Sequence, residues 1–387
     1  MNKKELELYI HIPFCVRKCS YCDFLSAPAT EQTVESYMAA LFAEIGGRAK
    51  DYSDRTVTSI FIGGGTPSLL SGEQIGQLMD RIREQFAMAQ DAEITMEVNP
   101  GTANAEKLRN FYTAGINRLS IGMQSAQAEE LKNLGRIHDF EGFCQVYREA
   151  VEAGFTNINV DIMSGLPGQT LASYRDTLEK VLHLEPMPQH ISAYSLIVEE
   201  GTPFAAMAER GELPLPEEET ERAMYEETIE VLSKYGFHRY EISNYARDGY
   251  ECRHNVGYWI RRDYLGFGIG AASLIDNVRF QNEKSLGAYL AHPLESREEE
   301  QTLTVQDRME ETMFLGLRLT RGVSCVDFAE QYGRTVEEVY GEVIARNVAD
   351  GLLTVTERKE NQKKDRFLAL TKRGLDLSNY VMAQFLF

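Results

Sequence analysis

The chain has 387 residues, room for about two domains or one large α/β barrel, and its 43% apolar and 26% charged residues supply a full core and exclude global disorder. Its formal charge of −19 excludes duplex nucleic acid as the main partner and argues against docking on an anionic lipid surface. The start, MNKKELELYIHIPFC, has no apolar signal region, and no run reaches the roughly 18 apolar residues of a membrane span, so a cytoplasmic chain is expected.

In chain order, β-like runs are expected at 6–12, 57–62, 94–98, 118–122, 157–162 and 190–196. Helical patterns separate them, at about 31–50, 72–87, 103–114, 127–133, 139–153 and 170–185. Strands alternating with helices imply a parallel sheet with helical cover. Right-handed crossovers leave a doubly wound sheet or a barrel. Cys15, the Gly63–Gly65 turn, Glu97, Gln124, Asp161 and Tyr194 all fall at or just after strand ends. Polar residues on nearly every unit favour a barrel mouth over a single switch point. The expected fold is therefore α/β, a partial (β/α)6 barrel resembling a shortened TIM barrel.

Residues 200–235 read as acidic and helical, and 240–272 as strands and loops packed on the barrel side. The polar segment 295–304 reads as a boundary. Beyond it come two helices, a β-hairpin and a helix, resembling a small winged-helix module. The expected domains are 1–285, the barrel with its flanking segment, and 300–387, a helical accessory module. The window 355–373 is locally basic, and a solvated hairpin explains it better than nucleic acid does.

Six cysteines in a chain this long do not form a disulfide framework. Three of them, Cys15, Cys19 and Cys22, crowd together as C-x3-C-x2-C. Three thiolates so close can wrap one metal centre, and thiolates suit zinc or iron–sulfur. Zinc in a structural site wants a fourth ligand, for which His11 is the neighbour at hand. An iron–sulfur cube on three cysteines leaves one iron open to substrate or cofactor. The second unit ends in Gly63-Gly64-Gly65-Thr66-Pro67, a turn where backbone can approach a ligand closely. It lacks the GK[ST] of a phosphate loop, and no GxGxxG opens a helix.

Together these features resemble the radical S-adenosylmethionine (SAM) superfamily. The motifs are IHIPFCVRKCSYCDF at 10–24, FIGGGTPSLL at 61–70, EVNP at 97–100, NRLSIGMQS at 117–125, NVDIMSGLPGQT at 159–170, EISNYA at 241–246 and RHNVGYW at 253–259. Within the superfamily they are similar to the group of oxygen-independent coproporphyrinogen III oxidases and HemW-type heme chaperones. The resemblance implies a [4Fe-4S] cluster on Cys15, Cys19 and Cys22, with SAM on the fourth iron. It implies SAM contacts from Tyr9, Tyr21, Gly64, Gly65, Thr66, Glu97, Gln124, Arg136, Asp161 and Ser195. Arg136 is the expected partner of the SAM carboxylate or of Glu97. His11 is expected to pack or to tune the cluster, and Cys144, Cys252 and Cys325 to be ordinary thiols.

The oxidases of this group carry another cysteine two places after the third and a longer extension before the first. Here Cys22 is followed by Asp23-Phe24, with no cysteine at that place, and only 14 residues precede Cys15. Both departures point to the heme-chaperone branch. That resemblance implies heme binding through His254, Tyr258 and Trp259, with Arg253, Arg261 and Arg262 as candidates for the propionates. It implies transfer of heme to an acceptor such as a respiratory membrane protein, an electron donor of flavodoxin or ferredoxin type, and a homodimer. The alternatives are the oxidative decarboxylation itself, a related radical SAM methyl transfer, or a zinc-stabilised protein without redox chemistry. No catalytic residue is assigned.

Overall fold

The computed structural model describes residues 4–295, 297–360 and 363–386. Six βα units open the chain: β1 (Lys4–Ile12), α1 (Glu31–Arg48), β2 (Arg55–Gly64), α2 (Gly72–Gln85), β3 (Ala87–Val98), α3 (Ala105–Thr113), β4 (Arg118–Gln124), α4 (Ala128–Leu134), α5 (Phe140–Ala153), β5 (Ile158–Ser164), α6 (Leu171–Leu182) and β6 (His190–Ser195). Every expected strand and helix of this half is present, although β3 begins well before residue 94. Local chemistry sets the helix starts. Ser71 and Gln74 form a reciprocal capping box at α2, Thr170 and Ser173 form one at α6, and Asp139 caps α5.

The six strands pair in parallel and in sequence order. Register pairs Ile62↔Met96, Val98↔Ile121, Gly122↔Asp161 and Asp161↔Ser192 bring the strand ends level at one mouth. β4 is buried along its whole length, as a strand covered on both faces must be. One apolar cluster runs through these strands and their helices, and includes Leu8, Ile60, Met96, Ile121, Val160 and Ile191.

One expectation needs correction. The segment 240–272 does not simply pack on the barrel side. After α7 (Pro203–Glu209) and α8 (Glu218–Lys234), the short strands β7 (His238–Arg239) and β8 (Asn244–Ala246) add to the free edge of β6 in antiparallel fashion. After α9 (Arg253–Trp259), β9 (Tyr264–Phe267) adds in parallel to the other edge, on β1. β10 (Ala272–Ile275) and β11 (Val278–Asn282) follow, then α10 (Leu286–Ala291). The reason is physical: an unclosed barrel leaves two rows of unpaired backbone groups, and these strands satisfy them. The segment 295–304, read as a boundary, has secondary structure of its own. It contains β12 (Arg297–Thr302), which pairs with β11 although every residue is exposed, and Ser296 lies outside the described residues.

The remainder has its own apolar cluster, with Met313, Leu317, Phe328, Tyr340, Leu368 and Phe385. It comprises α11 (Val305–Gly316), β13 (Val323–Ser324), α12 (Cys325–Tyr332), α13 (Val336–Ala349), β14 (Leu353–Glu360), β15 (Lys363–Leu370), α14 (Lys372–Asp376) and α15 (Ser378–Ala383). Its sheet runs β13-β15-β14, so helices followed by a hairpin give a winged-helix arrangement. The expected hairpin is present in the antiparallel pairing of β14 with β15, and residues 361–362 lie outside the described residues. Glu311 on α11 pairs with Arg261 at 2.8 Å and with Arg279 at 2.7 Å, which ties the module to the barrel flank. Among the described residues, no helix is long and apolar enough to cross a membrane.

Candidate functional site

The strand ends of β2 to β6 and the loop after β1 enclose a cavity of about 540 Å³, within the usual range for a small-molecule site. Cys15, Cys19 and Cys22 line it from the loop. That loop is pinned by backbone bonds. Cys15 N–H donates to Ala27 at 3.1 Å, Ser20 N–H to Leu134 at 3.0 Å, and Cys22 N–H to Cys19 at 3.2 Å. The three thiols are unbridged and half-buried. Burial pushes the Cys22 thiol up, and the neighbouring Cys19 and Cys15 push the same way. Three sulfurs on one cavity wall suit a shared metal centre.

Polar groups already point at the sulfurs. The Thr66 hydroxyl donates to Cys15 Sγ at 3.4 Å, and Arg136 Nη1 to Cys19 Sγ at 3.8 Å. Among the described residues, no three His, Cys, Asp or Glu side chains are set to hold a single ion. A cluster that gives each cysteine its own iron asks for a wider spacing than one ion does. His11, the expected fourth zinc ligand, has both ring nitrogens engaged. His11 Nε2 shares a hydrogen bond with Leu25 O at 2.8 Å and Nδ1 shares one with the Tyr9 hydroxyl at 3.0 Å.

The glycine turn fits the protein to itself. Gly64 takes φ of 109°, and a Cβ there would strike the His11 ring. A Cβ at Gly65 would lie 2.6 Å from Phe14 O and 2.9 Å from Ile12 O, against the cysteine loop. The turn thus lets that loop and the Glu97 carboxylate come close, which is more than the ligand approach expected of it.

Opposite the cysteines stand the strand-end acids. Glu97 accepts from Gly64 N–H at 3.0 Å. Burial, and then the charge of Asp161, push its carboxyl up to about 8. Asp161 is also raised by burial, against hydrogen bonds from Asn159, Ser192 and Ser120. Both carboxyls face one cavity and gain from a cationic ligand. Gln124 takes a left-handed φ of 68°, rare outside glycine, and accepts from the Tyr194 hydroxyl at 2.9 Å. Arg136 donates to Gly122 O at 2.6 Å, its buried Nε has no partner, and it forms no ion pair with Glu97.

Of the expected SAM residues, Tyr21, Gly64, Gly65, Thr66, Glu97, Gln124, Arg136, Asp161 and Ser195 line this cavity together. Tyr9 does not; it lines an adjoining pocket that shares Gly64 and Glu97. The expected heme residues also lie apart. His254 is 1% exposed on α9, with Nδ1 bonded to Ser59 Oγ at 2.8 Å and Nε2 to the Tyr258 hydroxyl at 3.0 Å, so neither nitrogen stands open to iron. Tyr258 packs edge-on against His254 and Tyr264. Trp259 turns away under the Arg318 guanidinium, 4.3 Å from its ring. The three propionate candidates are paired: Arg253 with Asp91, Arg261 with Glu311, and Arg262 with Glu5 and Glu7.

Sequence reasoning missed the deeper lining of Arg118, Ser120, Asn159, Ser192, Asn244 and Asn255. The available signal was period two: 118, 120, 122 and 124 share one face of β4.

Comparison with known proteins agrees with this geometry. The Radical SAM superfamily model matches residues 9–181, and the HemN C-terminal domain model matches 303–377. The heme chaperone HemW of Bacillus subtilis is 38% identical over 385 residues, covering 98% of each chain. That of Escherichia coli is 37% identical over 358 residues, covering 90% of this chain and 92% of its own. Among solved structures, the radical SAM enzyme coproporphyrinogen III oxidase (HemN) from Escherichia coli superposes with a TM-score of 0.85 at 28% identity, over 99% of this chain and 90% of that one.

Proposed function

Because the chain belongs to the HemW family of heme chaperones, within the radical SAM superfamily, we propose that it holds a [4Fe-4S] cluster, binds SAM, and carries heme to an acceptor protein. The observation that supports this most is the meeting of three unbridged cysteines and two buried strand-end carboxyls around one cavity.

The residues present suit the implied groups. Cys15, Cys19 and Cys22 would hold the cluster, with Thr66 and Arg136 donating toward sulfur and so favouring its more reduced form. The buried, unpartnered Nε of Arg136 is a ready donor for the SAM carboxylate. Glu97 would take the ammonium, giving up its proton to do so, and Asp161 the ribose hydroxyls. When bound, the cluster and SAM supply one-electron chemistry. The rest of the cavity wall excludes bulk water and fixes orientation.

Heme is the cargo. His254 would act as ligand once its bond to Tyr258 opens, and burial keeps its ring neutral, the ligating form. An acceptor in a respiratory membrane, a flavodoxin or ferredoxin donor, a cytoplasmic site and a homodimer complete the proposal. The separate apolar cluster beginning at Met309 supports a domain division near residue 300.

The test is anaerobic reconstitution with iron and sulfide, then incubation with SAM, reductant and coproporphyrinogen III. The expected result is a bound cluster and no protoporphyrinogen. Turnover to protoporphyrinogen would replace the chaperone reading with the oxidase one.

A further inference from the structure

The cavity does not end at the SAM residues. β4 points Arg118, Ser120 and Gln124 into it from successive levels, and Arg118 is the deepest. Arg118 lies four positions before Gly122, whose carbonyl accepts from Arg136, about 13 Å along the strand.

Arg118 is 2% exposed, yet among the described residues it has no ion-pair partner and its Nε has no hydrogen bond. The two nearby acids are engaged elsewhere. Glu93 accepts from the N–H groups of Arg253 at 3.0 Å and His254 at 3.2 Å, and Asp161 from Asn159 at 2.7 Å. A buried guanidinium left without a partner is expensive, so a fold that keeps one reserves it for something. Asn255 of the RHNVGYW motif and Asn244 of the EISNYA motif line the same cavity. The Asn244 amide is committed, donating to Glu241 and accepting from Ser192, each at 2.7 Å. The residue that the RHNVGYW motif contributes to this cavity is thus Asn255, beside the buried His254.

One SAM molecule carries one carboxylate, and Arg136 stands at its level. A second buried arginine further down calls for a second anionic ligand. A planar guanidinium fits a carboxylate, held by two parallel hydrogen bonds. We propose that Arg118, with Asn255, forms a carboxylate subsite in the cavity that anchors a propionate of the heme. This rests on the heme-carrying reading above.

The test is equilibrium titration of the cluster-loaded, SAM-bound protein with heme and with heme dimethyl ester, in the wild type, Arg118→Gln and Arg118→Lys. The wild type is expected to bind the diacid at least tenfold more tightly than the diester. In Arg118→Gln the diacid falls to the level of the diester, Arg118→Lys lies between, and SAM affinity does not change. Equal binding of acid and ester by the wild type overturns the subsite, and that comparison stands even if the variants fail to fold. Retained discrimination in Arg118→Gln overturns it too. A matching loss of SAM affinity would mean the carboxylate is that of SAM. If neither porphyrin saturates the wild type, the heme reading falls and this inference falls with it.

Discussion

Gly64 donates its backbone N–H to the Glu97 carboxylate at 3.0 Å, so the glycine turn after β2 and the acid at the end of β3 form one unit. The acid is buried beside Asp161, and its carboxyl is pushed up to about 8. At neutral pH it is therefore protonated in the empty protein. A bound ammonium favours the carboxylate, so SAM binding at pH 7 should release about one proton. Calorimetry in two buffers of different ionisation heat reads this directly. Glu97→Gln should abolish the release and weaken SAM roughly tenfold or more, the loss of a charge-assisted bond.

The same shift has a stability consequence. A carboxyl raised in the folded state contributes stability that is full below its ordinary value of 4.5 and is lost as pH rises through about 8. The empty protein should therefore melt lower at pH 9 than at pH 6, and Glu97→Gln should flatten that slope.

Gly65→Ala places a Cβ 2.6 Å from Phe14 O, a backbone atom of the cysteine loop that cannot step aside cheaply. The expected cost is about 1–3 kcal/mol, together with less iron per chain after reconstitution. Gly76→Ala is the control. It lies in α2 with nothing within 4 Å, and should stabilise by about 0.5–1 kcal/mol with iron content unchanged.

Serine at Cys15, Cys19 or Cys22 should abolish the visible absorption of the cluster. Serine at Cys144 or Cys325, both remote from the cavity, should leave it intact. Iron and sulfide analysis of the purified variants decides between them.

His254 sits between Ser59 and Tyr258, and burial pushes its ring down to about 3. Its contribution to stability is full above the ordinary value of 6.5 and is lost as pH falls toward 3. His254→Ala should cost about 2–4 kcal/mol at pH 7 and remove part of the acid sensitivity, read from denaturant midpoints at pH 7 and pH 5. Tyr258→Phe frees Nε2, and so should speed heme uptake if His254 is the ligand.

Much of this was legible in the sequence. The strands β1 to β6 carry apolar runs ending in polar residues, and Glu97, Gln124 and Asp161 fall at those ends because a parallel barrel exposes only that rim. β12 was not legible, since all its side chains are exposed and only backbone pairing with β11 makes it a strand. Arg118 was hidden because an arginine opening a strand looks like a surface residue until the alternation down to Gln124 is followed inward. The Tyr258 lock on His254 was readable from its i, i+4 spacing on a helix, whereas Ser59 came from a distant strand. The motif around His254 suggested a ligand, whereas the packing shows both ring nitrogens hydrogen-bonded.

The central claim is that this chain binds heme as cargo. Titration of heme into the cluster-loaded protein, followed by its absorption spectrum, tests that claim most directly. A saturable transition at one heme per chain is predicted; uptake that rises without saturation, as onto any apolar surface, would contradict it.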